Sequence, residues 1–328
     1  MCFNRAISRR SFHKAVFSGL AAGLAWPAGQ AMAQSDLPVR VVIPFPPGGS
    51  NDIVGRAIAH ELSLRLNRSF VVENAAGAGG TIGATAVSRA KPDGNTLLLI
   101  SAAFPMSASV MKLNYDPVAS FSPIALLGKG PSVLVVNADL PVNSIQELLA
   151  YSKNNPGVLN FGSAGVGSLQ HFAAELLKLR TGIDLTIVHY KGGGPALNDL
   201  ASGHVHVCLG SLIQMLSYVK AGKVKIIGVT GTERVSLIPE VHTLKEDGVD
   251  VEISNWWGLL APTGTPDVLL DGLNREINAI LSAEDVKTRF ANEGATPTPD
   301  TRAAFTDYLA QETEKWAEVA RLTGIGVG

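Results

Sequence analysis

Three short glycine-rich stretches stand where a strand would hand over to a helix, and each could present backbone N–H groups to an anion. The first is Pro44-Phe45-Pro46-Pro47-Gly48-Gly49-Ser50-Asn51-Asp52. Its glycines let the backbone approach a ligand closely, Ser50 or Asn51 can cap the helix that follows, and the free N–H groups there favour negative charge. A tight turn with a helix cap accounts for the same residues, so this stretch alone leaves both roles open. Phe45, Pro47, Gly48, Gly49 and Ser50 are taken as candidate ligand contacts. Asp52 either touches the ligand or occupies a first helical turn, where the dipole favours an acid.

The second stretch, Glu73-Asn74-Ala75-Ala76-Gly77-Ala78-Gly79-Gly80-Thr81-Ile82-Gly83, has the outline of a dinucleotide fingerprint. Ile82 stands where the third glycine belongs, and no acid closes a following strand at the required spacing, so no NAD or FAD is expected. Gly79 and Gly80 are kept as anion-facing backbone. The third stretch is Phe161-Gly162-Ser163-Ala164-Gly165-Val166-Gly167-Ser168. Phe161, two residues before Ser163, breaks the nucleophile-elbow pattern, so Gly162, Ser163, Gly167 and Ser168 read as donors to a ligand and not as acyl-transfer machinery. His171, on the next helix, lines the same cleft or sits at its edge. Tyr190 and Lys191 begin a fourth glycine-rich edge, and Ser101 and Ala102 follow the third strand. No arginine lies within the three main loops, which implies binding through oriented amides, hydroxyls and water.

Two other groups could do chemistry. His204, His206 and Cys208 alternate along a predicted strand and would share one face, an arrangement open to a soft metal ion; a helix-covered or exposed sheet face is the plainer account. No metal and no other cofactor is expected. Trp256-Trp257 is assigned to packing between elements.

The elements that must position these loops follow from periodicity. Short β-branched runs alternate with amphipathic stretches: Val39–Ile43, Ile53–Leu66, Phe70–Val72, Thr81–Ala90 and Leu97–Ile100, then a second series from Ile145 to Val229. This is the signature of βαβ units and a parallel sheet, with two α/β lobes as the simplest arrangement. Helices are predicted over Val268–Ser282, Ala283–Asn292 and Arg302–Leu322, packing back on the first lobe. The apolar segments Ile124–Leu140 and Val251–Pro262 flank the second series and make natural crossovers, hence a hinge. In open α/β sheets ligands bind beyond the carboxyl ends of strands, where all these loops lie, so the loops are expected to converge.

Export is written into the first residues. Arg5, Arg9, Arg10 and Lys14 precede an apolar run, Ala15–Ala25, and then Ala31-Met32-Ala33. That is a signal peptide, residues 1–33, with Ser8-Arg9-Arg10-Ser11-Phe12 resembling the twin-arginine motif and cleavage expected near Ala33. Its apolar run falls short of the ~20 residues needed to cross a bilayer. Removal leaves about 300 residues, enough for two domains of roughly 100 to 200 residues each. The only charged residues it removes from a chain of net charge −1 are basic, and with no basic run nucleic acid is not an expected partner. Of two cysteines, Cys2 leaves with the leader, so Cys208 has no disulfide partner and the 46% apolar composition must supply the core.

Taken in order, these motifs resemble the tripartite tricarboxylate transporter receptors, also called the Bordetella uptake gene or Bug family. The match runs through Pro44–Asp52, Glu73–Gly83, Pro92–Leu98, Tyr115–Pro117, Gly162–Ser168, Tyr190–Gly192 and Trp257–Pro262, essentially the whole mature chain. His204 and His206 depart from the family strand, and Asn95 replaces a common aromatic. The resemblance implies an α/β, two-lobed periplasmic solute-binding protein fold with a hinge of crossover strands and a ligand cleft between lobes. The lobes would be 34–136 plus 257–328, and 137–256. It further implies a non-enzymatic periplasmic receptor gripping a small carboxylate through Pro46–Ser50 and Gly162–Ser168, partly through waters; a monomer is the default for a clamp that must open. The ligand would be a di- or tricarboxylate, aromatic acids included, and the partners one large and one small membrane subunit. A secreted enzyme acting on a small carboxylate and a ligand-sensing receptor for a signalling system are the competing classes.

Overall fold

The computed structural model describes residues 37–48, 50–292 and 295–326; the leader assigned to residues 1–33 lies outside them. Strand β1 (Val39–Ile43) buries Val39, Val41 and Ile43 in one apolar cluster and Val42 in another. Period-two burial on both faces requires helices on both sides, as a central parallel strand does. The chain continues through α1 (Ser50–Leu66), β2 (Phe70–Asn74), α2 (Thr81–Ser88), β3 (Thr96–Ser101) and α3 (Ala103–Val110). β1 lies between β2 and β3 and parallel to both, as the βαβ reading requires.

Strand β4 (Phe121–Asn137) then opens a second series. It comprises α4 (Ile145–Asn154), β5 (Asn160–Ser163), α5 (Leu169–Thr181), β6 (Thr186–His189), α6 (Gly193–Ala201), β7 (Val207–Ser211), α7 (Leu212–Lys220) and β8 (Val224–Val229). The chain returns along β9 (Ser254–Pro262) to α8 (Asp267–Leu281), α9 (Glu284–Asn292), β10 (Thr296–Pro297) and α10 (Arg302–Thr323). The strands form one mixed sheet in the order β2-β1-β3-β9-β4-β7-β5-β6, with β8 and β10 also paired to β4.

β4 joins the two halves of this sheet. Up to Pro131 it pairs antiparallel with β9, and from Ser132 it pairs with β7. The fully buried Thr230 clasps the change of partner. Its N–H and Oγ1 both donate to the Ser132 carbonyl at 2.9 Å, Oγ1 also lies 2.5 Å from the Ile253 carbonyl, and Ile253 N–H returns a bond to Thr230 O at 2.9 Å. Both connecting segments are thereby fixed at one point.

The C-terminal helices divide their packing differently from the sequence expectation. α8 packs on α1 and β4, but α10 lies across α3, β4 and α5 and so touches both halves of the sheet. The reason is its length: buried Phe305, Leu309, Glu312, Trp316 and Val319 recur at helical spacing over nearly all of its 22 residues. Phe305 meets β9 at Gly258, where an added Cβ would lie 2.2 Å from the Phe305 Cζ, so the approach of helix to strand requires glycine. Trp316 packs edge-on against Phe172 of α5, ring centroids 5.4 Å apart.

Candidate functional site

A cavity of about 620 Å³ opens on the carboxyl-end loops of the sheet. The N-termini of α1, through Ser50 and Asn51, and of α5, through Ser168, Leu169 and Gln170, face it, and Ala103 of α3 and Ser211 and Gln214 at the start of α7 also line it. The first-turn N–H groups of a helix have no partner within it and carry the positive end of its dipole. Among the described residues no charged side chain lines the cavity, so an anion there would meet amides and hydroxyls alone.

Each loop is held from behind. Gly48 stands at φ +86°, a conformation that side chains rarely adopt, and donates its N–H to Asp52 Oδ2 at 3.0 Å. Asp52 Oδ2 also accepts from Arg56 Nε at 2.9 Å, and its Oδ1 accepts from Asn74 Nδ2 at 2.9 Å. The bond from Arg56, with those from Gly48 and Asn74, holds this carboxyl at about 2 against the opposing effect of burial. Asp52 therefore pins the loop from behind the cavity wall. In the third loop Gly167, at φ +77°, donates its N–H to His171 Nδ1 at 3.2 Å, and Ser168 Oγ caps α5 by accepting from His171 N–H at 3.2 Å. Burial, with the nearby His189 and Lys178, lowers His171 to about 4. The ring is thus neutral at pH 7 and keeps the lone pair that the Gly167 N–H needs.

Of the candidates named from sequence, Phe45, Gly48, Ser50, Gly79, Ser101, Gly167 and Ser168 line the one cavity. Gly49 lies outside the described residues. Pro47, Asp52, Gly80, Ala102, Gly162, Ser163, His171, Tyr190 and Lys191 are not part of its wall. Gly80 and Ala102 are buried beneath it, and Gly162 abuts Cys208. Tyr190 donates its hydroxyl to Asp199 at 2.6 Å, and Lys191 is exposed. Ser163 Oγ lies 3.1 Å from His189 Nδ1, a serine–histidine contact, yet Ser163 is fully buried behind the wall, away from anything the cavity holds.

The histidine–cysteine alternation disperses. β7 begins only at Val207, so His204 sits in the preceding turn beside Asp199, His206 Nδ1 accepts from Asn160 N–H, and buried Cys208 bonds to the Gly162 carbonyl. Burial pushes the Cys208 thiol up to about 12. Among the described residues no three His, Cys, Asp or Glu side chains are grouped to hold a metal.

Several wall residues have no motif to announce them. Gly130, Pro131 and Ser132 come from the partner change in β4, Asn255 and Trp257 from β9, and Ser107 and Met111 from α3 and its end. Trp257 Nε1 donates to Asn51 Oδ1 at 2.8 Å, tying β9 to the first turn of α1. For the β4 and β9 positions the sequence signal was the crossover assignment, joined for Trp257 by the motif Trp257–Pro262, and Ser107 and Met111 had none.

A sequence profile described as the tripartite tricarboxylate transporter family receptor, TctC, matches residues 54–325. Protein BugT of Bordetella pertussis is 35% identical over 291 residues, covering 88% of this chain and 89% of that one. Among solved structures, Rpa4515 of R. palustris with adipate superposes with a TM-score of 0.80 at 31% identity, covering 89% of this chain and 99% of that one. MatC from Rhodopseudomonas palustris with bound malate gives a TM-score of 0.75 at 32% identity, covering 86% and 98%.

Proposed function

Because this chain belongs to the tripartite tricarboxylate transporter receptor family, we propose that it is an exported, non-catalytic receptor that closes on a small di- or tricarboxylate. Aromatic acids fall within the class. The observation that carries this reading is the meeting of two helix N-termini, α1 and α5, on one cavity with no charged side chain in its described wall. Carboxylates are stabilised there by fixed N–H dipoles and by hydroxyls, with water filling the remaining positions. Adipate with one neighbour and malate bound to another support a carboxylate ligand.

Residues 34–136 with 257–328 form one lobe in this reading and 137–256 the other. β4 and β9 are the hinge strands between them. The receptor then delivers its ligand to one large and one small membrane subunit. It acts as a monomer, since a clamp of this kind contains both halves of its site.

The test is thermal unfolding of residues 34–328, freed of copurified ligand, against aliphatic and aromatic mono-, di- and tricarboxylates. Ligand at a hundred times its dissociation constant adds about 2.7 kcal/mol, an upward shift of several degrees. A shift confined to a few di- or tricarboxylates is the expected result; no shift with any carboxylate contradicts the proposal.

A further inference from the structure

Two hydroxyls in the cavity wall combine burial with the lack of a partner among the described residues, whereas Ser211, which also lacks one there, is only half-buried. Ser101, at the end of β3, is 3% exposed, and Ser132, at the partner change in β4, is 1% exposed. Both line the cavity. The hydroxyl of Ser107, by contrast, donates to the Gly79 carbonyl, and that of Ser168 caps α5. The Ser132 carbonyl is engaged by Thr230, but the Ser132 and Ser101 hydroxyls have no hydrogen-bond partner among the described residues. No sealed side-chain oxygen or nitrogen among those residues lacks a partner, so these two hydroxyls open onto the cavity.

Their place in the sheet gives them a role. In the strand order β1-β3-β9-β4-β7-β5, the loop after β1 and the loop after β5 carry the two helix N-termini, and β3 and β4 lie between them. A ligand whose acidic ends rest on α1 and α5 therefore passes over Ser101 and Ser132 with its middle. An unsubstituted alkyl chain would leave both hydroxyls desolvated and unpaired, which is unfavourable, whereas a hydroxyl or oxo group would pair with them.

Resting on the carboxylate reading above, we infer that Ser132, with Ser101, reads a hydrogen-bonding substituent in the middle of the ligand. The receptor thus selects hydroxy or oxo acids over their unsubstituted counterparts. A site built around such a bond discriminates strongly against the analogue that lacks it.

Calorimetric titration of matched pairs tests this: succinate with L-malate, glutarate with 2-hydroxyglutarate, and tricarballylate with citrate. In at least one pair the hydroxy acid is expected to bind at least about tenfold more tightly to the unaltered receptor, the worth of one well-placed hydrogen bond. Ser132→Ala should weaken that hydroxy acid by roughly five- to twentyfold and its counterpart less than about twofold, collapsing the preference. Ser101→Ala provides the same reading on a second strand should Ser132→Ala fail to fold. Equal binding within every pair, tighter binding of the unsubstituted acids, or equal weakening of both members by the variants overturns the inference while leaving a carboxylate receptor. If none of these acids binds and the wider thermal screen shows no shift, the carboxylate reading has failed and the inference with it.

Discussion

Glu312→Ala is expected to cost about 3 to 5 kcal/mol of stability, read as a lowered urea midpoint at unchanged slope. Glu312, on α10, is nearly buried, and its Oε2 accepts from two indoles, Trp256 Nε1 and Trp316 Nε1, each at 3.0 Å. Lys315 Nζ approaches its other oxygen at 3.2 Å. Alanine leaves two buried N–H donors unpaired and a void between them. The consequences fall at the junction of the halves: Trp256 is on β9, one residue from the cavity-lining Trp257, and Trp316 packs on α5. Glu312→Gln retains a carbonyl oxygen able to face both indoles and should lose no more than about half as much. A cost under about 1 kcal/mol for the alanine variant would show that the two indoles do not depend on this carboxylate.

Asp52→Asn is expected to weaken ligand binding at least about tenfold and to lower stability by about 1 to 3 kcal/mol. Both carboxylate oxygens accept: one from Asn74, the other from Gly48 N–H and Arg56. Either orientation of an asparagine amide turns its NH₂ group toward a donor: one breaks the bonds from Gly48 and Arg56, the other breaks the bond from Asn74, whose amide also holds the Phe45 carbonyl of the same loop. The pH dependence follows from the depressed carboxyl, about 2 against an ordinary 3.8. Its stabilisation is complete above the unfolded value, near pH 4, and is lost as pH falls through the folded value near 2. Melting temperatures recorded from pH 7 to pH 2 should therefore converge for the two proteins at the acid end. A constant gap across that range, or unchanged affinity in Asp52→Asn, would remove Asp52 from its place as the anchor of this loop.

What could be read from sequence divides along physical lines. β1, α1, β5 and α5 were legible because apolar periodicity and glycine punctuation act locally, and the loops between them displayed both the flexibility and the capping residues of a helix N-terminus. α3 was missed: its eight residues follow β3 with scarcely a turn between, and Pro105 lies within its first turn. α7 was missed because Leu212–Lys220 follows β7 directly, with Gly210 and Ser211 still part of the strand and no loop between the two elements. Ser132, Asn255 and Trp257 owe their place in the wall to the change of partner in β4, where Ser132 pairs with Ser211 of β7 and the residues before it pair antiparallel with β9, partners distant in the chain that no local pattern encodes. Asp52 illustrates the ambiguity within a motif that was seen: ligand contact and first-turn acid were both open, and its hydrogen bonds put it behind the wall.

The most direct test of a receptor that captures a carboxylate without altering it combines calorimetry with recovery of the ligand. Residues 34–328 are titrated with the acid giving the largest thermal shift, and the solution is then denatured and its small molecules identified by proton NMR. Saturation at one acid per chain, with that acid returned unchanged after prolonged incubation, is the predicted result. A new compound accumulating with time would make the protein an enzyme, and the absence of saturable binding by any carboxylate would contradict the account of the cavity itself.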